Sequence, residues 1–445
     1  MTTREQHSEK PGPLDKLLSV FTSVEPGEAG TALLLMLELF LVLTAYYILK
    51  TVREPLILMG GGAEVKSYAA AGQAILLLAV VPLYSMLVNK VERVRLINGV
   101  TLFFISNLVL FYLLARIGVP YLGVAFYLWV GIFSLMIIAQ VWSFANDLYT
   151  ENQGKRLFPL VAFGSSLGAI AGSLVAGQLF ELGLGSFEMM LAAAALLVVC
   201  MLITLAIRNR EQQPLARQDT PQPDVKSTAT PDDQASGFAL VLRDRYLLLI
   251  AVLLMLLNIV NTNGEYILAS AIENIAANAD PAAREQIFGS FYAGFFTWVN
   301  SIGAFLQLFA VSRILRLAGV RTALFVLPVI ALGSYAVIAS GAALAVIRGA
   351  KILENATDYS LNNTVRQALF LPTSRAAKYK AKQAIDTFFV RAGDVLSAGM
   401  VYVGVNLLGF GTRQFAMLNL VFIVIWLIVA AAIGARYRQM TKASA

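Results

Sequence analysis

The chain carries one cysteine, Cys200, and one histidine, His7, among its 445 residues. A lone cysteine inside an apolar run leaves no disulfide framework and no thiolate metal site within the chain. The histidine sits in a polar stretch, so histidine catalysis or metal ligation inside an apolar core is excluded. No metal and no other cofactor is expected. No nucleophile–base arrangement is visible either, and the chain is not expected to be an enzyme. Charge is also scarce: Asp, Glu, Lys and Arg make up 14% of the residues, against roughly 25% in a soluble domain. With 58% hydrophobic residues, an ordinary soluble globular protein is excluded and a polytopic membrane protein is expected. Residues 1–30 lack the basic, apolar, small-residue order of a cleaved signal. Gly60-Gly61-Gly62 is not a phosphate loop, because no Gly-Lys-Ser/Thr follows it and it leaves an apolar span rather than a strand.

Runs long enough to cross a bilayer fall near 31–58, 66–88, 96–116, 120–147, 158–181 and 187–207, then near 246–272, 287–312, 321–340, 341–371, 383–410 and 413–436. Between the sets lies a stretch with four prolines and many Gln, Asp and Thr residues, too polar to fold alone. The expected fold is all-α, with twelve transmembrane helices in two six-helix bundles of the major facilitator kind. Its parts are an N-terminal tail (1–30), a first bundle (31–207), a linker (208–243), a second bundle (244–436) and a C-terminal tail (437–445). A weak repeat supports this: Lys90-Val-Glu-Arg-Val-Arg follows span two and Arg313-Ile-Leu-Arg-Leu-Ala-Gly-Val-Arg follows span eight, as in parallel repeats about an axis along the membrane normal.

The formal charge of +7 is spread over alternate loops rather than gathered into a patch, so no nucleic-acid partner is expected. Arg4, Lys10, Lys16, Lys90, Arg93, Arg95, the linker cations, Arg313, Arg316, Arg321, Arg375, Lys378 and Arg436 lie on one side. Lys66, Arg116, Arg284 and Arg413 lie on the other. The positive-inside rule then places both termini in the cytoplasm, in a multi-pass protein of the cell (inner) membrane, expected as a monomer in the lipid bilayer.

Polar residues inside the spans mark the candidate site. At 100° per residue, Arg348, Lys351, Asn355, Asp358, Asn362 and Arg366 share an arc of about 80°, with Glu354, Thr357, Ser360 and Gln367 off it. A charge at bilayer depth costs roughly 2.5–3.5 kcal/mol, so the stripe is expected to wall a transport path. Tyr46, Lys50 and Arg53 share a face of span one beside Glu54, and Asn258, Asn261, Thr262 and Glu265 share one in span seven. Asp386 and Asp394 belong to span eleven, where Arg391 and Asp394 have the i, i+3 spacing of a structural pair. Lys50, Arg53 and Glu54 can also snorkel to an interface. The substrate-binding set is Lys50, Arg53, Asn261, Glu265, Asn355, Asp358, Asn362 and Arg366. The coupling or gating set is Asp147, Lys155 and Asp386, with Asp147 and Lys155 either a cytoplasmic gate or simply solvated. Gly164, Gly168, Gly172 and Ala176 recur every four residues, the spacing of close helix packing.

Three blocks carry a resemblance. They are Tyr47-Ile-Leu-Lys-Thr-Val-Arg-Glu-Pro-Leu-Ile with Gly62-Ala-Glu-Val, Trp142-Ser-Phe-Ala-Asn-Asp-Leu with Lys155-Arg-Leu-Phe-Pro-Leu, and Ala356-Thr-Asp-Tyr-Ser-Leu-Asn-Asn-Thr-Val-Arg-Gln-Ala-Leu-Phe-Leu-Pro with Lys382-Gln-Ala-Ile-Asp. In order and spacing they resemble the bacterial and plastid ATP/ADP translocase family, nucleotide exchangers related to the major facilitator fold. The resemblance implies a nucleotide or other organic anion as substrate, exchanged by alternating access. It sets Arg53 and Arg366 at the family's transport lysines and Glu265 close to its span-seven acid. Two departures stand out: the family's span-four acid falls near Val130, and Asp358 replaces a residue that is usually basic. Arg53 and Arg366 would hold phosphate from opposite halves, their mutual repulsion keeping an empty carrier from reorienting. The alternatives are a proton-coupled carrier of another small solute, with Glu265 or Asp386 carrying the proton, and a membrane receptor that binds without flux.

Overall fold

The structure is a computed structural model and describes residues 23–25, 27–88, 92–211 and 236–443. The expectations for the first part of the N-terminal tail, for His7, for Lys90 and for linker residues 212–235 lie outside the described residues. Within them the chain is helical without strands. The long helices are α1 (Glu28–Val88), α2 (Arg93–Arg116), α3 (Leu122–Leu148), α4 (Glu151–Glu181) and α5 (Ser186–Glu211). After the short α6 (Gly237–Arg243) come α7 (Arg245–Ala276), α8 (Pro281–Phe305), α9 (Val311–Ala339) and α10 (Leu344–Thr357). The chain ends with α11 (Asn363–Leu369), α12 (Lys382–Ala384), α13 (Val390–Tyr402) and α14 (Thr412–Ala443). Stretches of π-helix at Leu306–Ala310, Asp358–Asn362, Ala377–Ala381, Ile385–Phe389 and Val403–Leu407 bridge several of these.

Among the described residues, nine helical segments are long and apolar enough to cross a membrane. Two of them, Glu28–Tyr84 with 57 residues and Pro281–Ala339 with 59, exceed the roughly 20 residues a crossing needs. Each contains a glycine in left-handed backbone, Gly62 at φ 72° and Gly319 at φ 75°, where a residue with a Cβ is strained. The twelve spans expected from the sequence require each long segment to count as two and the polar 344–369 stretch, below that hydropathy, to count as one. Gly62 has a second constraint, because a Cβ there would meet the carboxylate of Glu273 at 2.5 Å. That carboxylate accepts a hydrogen bond from the Ala63 backbone N–H at 3.0 Å. It thereby satisfies one of the amide groups that a helix break exposes.

The chain divides into two compact units. Unit 1 comprises Met1–Val52, Ser85–Val119 and Val130–Thr220. In it α2 packs on α5, while Gly164, Gly168 and Gly172 of α4 face the backbone carbonyls of Met36, Phe40 and Thr44 in α1. The Thr44 hydroxyl lies 3.3 Å from the carbonyl of Gly168, so the two helix backbones meet without intervening side chains, as small-residue packing requires. At the start of α4 Thr150 and Gln153 form a capping box, and Arg156 bridges to Glu28 at 2.9 Å.

Unit 2 comprises Arg53–Tyr84, Pro120–Trp129 and Pro221–Ala445. Its centre is α7, which packs against α10, α13 and α14. Asn263 of α7 takes a hydrogen bond from Ser397 at 2.6 Å and gives one to Asn419 at 3.1 Å, and Asn419 donates to the carbonyl of Val260 at 3.1 Å. These three buried side chains lock α7 to α13 and α14, since each polar group taken out of water must be satisfied.

The glycine contact in unit 1 yields a stability prediction. Gly168→Ala places a Cβ against the Phe40 carbonyl and is expected to cost about 1–3 kcal/mol through overpacking. Gly60→Ala, where a Cβ meets nothing within 4 Å, should leave stability nearly unchanged. Thermal unfolding of both variants in detergent tests this, and equal midpoints would contradict the packing.

Candidate functional site

Unit 2 buries a chain of alternating charges. It begins at Arg53 in α1, whose guanidinium stands 2.6 Å from the carboxylate of Glu54 and 4.3 Å from the ring centre of Tyr127. The other oxygen of Glu54 lies 2.7 Å from the ammonium of Lys66. Lys66 is also 3.6 Å from Glu265 in α7 and 3.3 Å from the Tyr292 hydroxyl in α8. Glu265 in turn faces Lys351 of α10 at 4.0 Å, and Lys351 faces Glu354 at 3.2 Å. Three cations and three anions thus alternate: Arg53, Glu54, Lys66, Glu265, Lys351, Glu354. Glu54, Lys66, Lys351 and Glu354 are each at most 5% exposed, whereas Glu265 side-chain atoms are 25% exposed. Glu265 is therefore the most accessible member of the series, followed by Arg53 with 13% of its side chain exposed.

Neutral groups complete the cluster. Lys351 donates to the Asn261 side-chain oxygen at 2.9 Å and Asn355 donates to Glu265 at 3.2 Å. The Tyr335 hydroxyl lies 3.3 Å from Glu354. Gly264 is needed beside them, since a Cβ there would collide with the Tyr335 hydroxyl and stand 2.8 Å from the Lys351 ammonium. The break at Gly62 begins a new helical turn at Ala63, which carries Lys66 back alongside Glu54 in the same long helix.

The structure brings together Arg53, Asn261, Glu265 and Asn355 of the expected substrate-binding set, joined through Glu54, Lys66 and Lys351. Arg366 and Asp386 form a separate pair at 3.0 Å, with Lys382 3.9 Å from the same Asp386 carboxylate. Asn362 donates to Asp358 at 2.7 Å, one turn away. Lys50, in unit 1, has its ammonium 5.1 Å from the ring centre of Tyr47. The two gate candidates do not meet. Asp147 pairs with Arg93 at 2.6 Å, and Lys155 pairs with Glu151 of its own helix at 2.6 Å. Both are largely exposed. Arg391 and Asp394 lie 3.4 Å apart, and Asp394 also accepts from Asn258 at 2.7 Å and Thr262 at 2.9 Å.

Two expectations change. Lys66 is not a loop cation but the middle of the buried chain. A lysine near a span's first turn is indistinguishable from a loop residue until the break at Gly62 is known. Arg53 and Arg366 each have a carboxylate partner, Glu54 and Asp386 respectively. The polar stripe also divides. Lys351, Asn355 and Asn362 are buried, off-stripe Glu354 joins the cluster, and Arg348 instead lies over the ring of Phe291 at 5.0 Å. An α-helical projection could not foresee this, since Asp358–Asn362 winds as π-helix and three neighbouring helices take different faces.

Membrane-length apolar helices, with an ion-pair network buried among them, define a multi-pass membrane protein. Solved transporters of the major facilitator fold share its architecture. The nucleoside transporter NupG superposes with a TM-score of 0.64 at 13% identity, covering 93% of this chain and 99% of that one. The peptide transporter POT in complex with sulfate gives 0.60 at 13% identity over 91% of this chain and 95% of that one. A bacterial homologue of the iron transporter ferroportin gives 0.63 at 12%, over 91% and 98%. At these identities the likeness is one of fold.

The chain belongs to the TLC ATP/ADP transporter family, whose model matches residues 7–120 and 121–437. It is similar to ADP,ATP carrier protein 1 of Chlamydia trachomatis, 23% identical over 356 residues that cover 70% of this chain and 66% of that protein. The Chlamydia pneumoniae protein of the same name is 24% identical over 339 residues, 68% of this chain and 64% of that protein. The chain thus spans slightly less than two thirds of the length of these relatives.

The ion-pair chain yields a second prediction. Lys351→Met strands Glu354 and the Asn261 oxygen in a buried setting and is expected to cost about 3–5 kcal/mol. The double variant Lys351→Met/Glu354→Leu should recover much of that loss. Unfolding midpoints of the single and double variants measure the coupling; additive losses would show that the two side chains do not act as a pair.

Proposed function

We propose that this protein exchanges adenine nucleotides across a membrane by alternating access, with ATP and ADP as the principal pair. The observation that carries this reading is the match to the ATP/ADP transporter family over nearly the whole chain. The buried charges of unit 2 supply suitable chemistry. Arg53 and Arg366 would bind phosphate oxygens through charge-assisted, potentially bidentate hydrogen bonds. To do so, a phosphate must displace Glu54 from Arg53 or Asp386 from Arg366. Asn261, Asn355 and Asn362 would contact ribose or base, and Glu265, the most accessible carboxylate of the buried ion-pair series, would respond to the incoming anion. When no substrate is bound, the internal pairs re-form and hold the empty carrier, which favours exchange over net flux.

In this proposal the protein works as a monomer with consecutive six-helix bundles, 31–207 and 244–436, rocking about the substrate. Both termini face the cytoplasm of a bacterial inner membrane, and no cofactor takes part. A proton-coupled carrier of another small solute is the competing mechanism, with Glu265 or Asp386 as proton carrier.

Uptake of labelled ATP into proteoliposomes preloaded with ADP, beside empty vesicles, separates the two. Exchange predicts uptake only into ADP-loaded vesicles. Arg53→Gln and Arg366→Gln should each raise KM by roughly tenfold to a hundredfold, the worth of one hydrogen bond to a charged group. No ATP flux, with uptake of another solute into empty vesicles that collapses with a protonophore, would instead establish the proton-coupled carrier.

A further inference from the structure

Arg348 differs from Arg53, Lys66, Lys351, Arg366 and Arg391, each of which has a carboxylate partner. Among the described residues it has no carboxylate within 4.0 Å, and its buried Nε has no hydrogen-bond partner. Its guanidinium rests 5.0 Å from the ring centre of Phe291, beside Gly294, where a Cβ would collide with it. The side chain borders a groove of about 380 Å³ between α8 and α10, lined otherwise by apolar residues including Trp298, Ile302, Ile352 and Leu353. Trp298 is 58% exposed and Leu353 44%, so the groove opens outward. On both helices the outward face continues apolar, with Phe305 on α8 and Val346 on α10 exposed. An aqueous path would be polar there; this face is suited to lipid.

A guanidinium on a lipid-contacting surface without an acidic partner is costly, and an anion beside it removes that cost. Arg348 belongs to the first turns of α10, which starts at Leu344, near a helix end where headgroups are found. Ile352 and Leu353 follow one turn further along the helix, where an acyl chain would lie. An indole such as that of Trp298 is suited to the boundary between the two. We propose that Arg348 and this groove bind one acidic phospholipid, the guanidinium holding its phosphate and the apolar walls holding its acyl chain. Gly294 provides the space in which the guanidinium reaches that position.

Trp298 reports on occupancy. Trp129 and Trp426 are buried, and subtracting the emission of Trp298→Phe isolates the signal of Trp298. The full chain, reconstituted in vesicles doped with brominated phosphatidylglycerol, should be quenched at about a fivefold lower mole fraction than with brominated phosphatidylcholine, the preference about one Arg–anionic lipid contact gives. Arg348→Gln should abolish the preference, while Arg348→Lys should keep part of it. Equal quenching by the two lipids in the unmodified protein would overturn the proposal without reference to any variant. So would a preference that survives Arg348→Gln. Reversal of the preference by added ATP would identify an aqueous anion site and overturn it as well.

Discussion

A charge taken out of water must be neutralised where it is buried, and Lys66 is where this chain meets that demand. Its ammonium lies between Glu54 and Glu265, carboxylates from different helices, with Lys351 and Arg53 completing the series on either side. Remove the charge of Lys66 and the buried Glu54 and the half-buried Glu265 lose their shared cation. Each local feature around it serves the same requirement. The break at Gly62 turns the chain so that Lys66 faces Glu54. Gly264 leaves space for Lys351 and Tyr335 beside Glu265, and the locked side chains of Asn263, Ser397 and Asn419 hold α7 in place.

Such a network has little net worth as a source of stability, since desolvation offsets most of the attraction between buried ions. Its value in the proposed function lies in being exchangeable. A nucleotide brings several anionic oxygens, and each can take over a cation that now belongs to a carboxylate. The displaced carboxylate must find another partner or meet solvent, so binding in one part of the series is felt along the rest. Glu265 touches two lysines and an asparagine. It is the member best placed to pass such a change from α1 to α10.

The fold was legible in the sequence because its signals are additive. Scarce charge, long apolar runs and alternating basic loops each survive local error, and the order and spacing of the three residue blocks pointed to the family. The site was legible in part. Glu265, Asn261 and Asn355 stood out as polar residues within apolar spans, and they do meet. Lys66 was missed, because a lysine at a span's end carries no sign of whether a loop or a tight break precedes it. Arg348 was grouped with Lys351 because both fall on one projected arc, yet α7 and α8 take neighbouring parts of that arc and give the two residues unlike surroundings. Glu354 was set aside for lying off the arc, although a residue three positions from Lys351 can reach it.

The most direct test of exchangeable pairing is the affinity of Glu54→Gln for ATP, measured by equilibrium binding to the purified protein. If a carboxylate and a phosphate compete for Arg53 and Lys66, removing the carboxylate's charge should tighten binding while slowing ADP-driven exchange. If Glu54 instead supports the site only by holding its cations in place, Glu54→Gln would weaken binding as much as Arg53→Gln does. That result would contradict competition at the centre of the cluster.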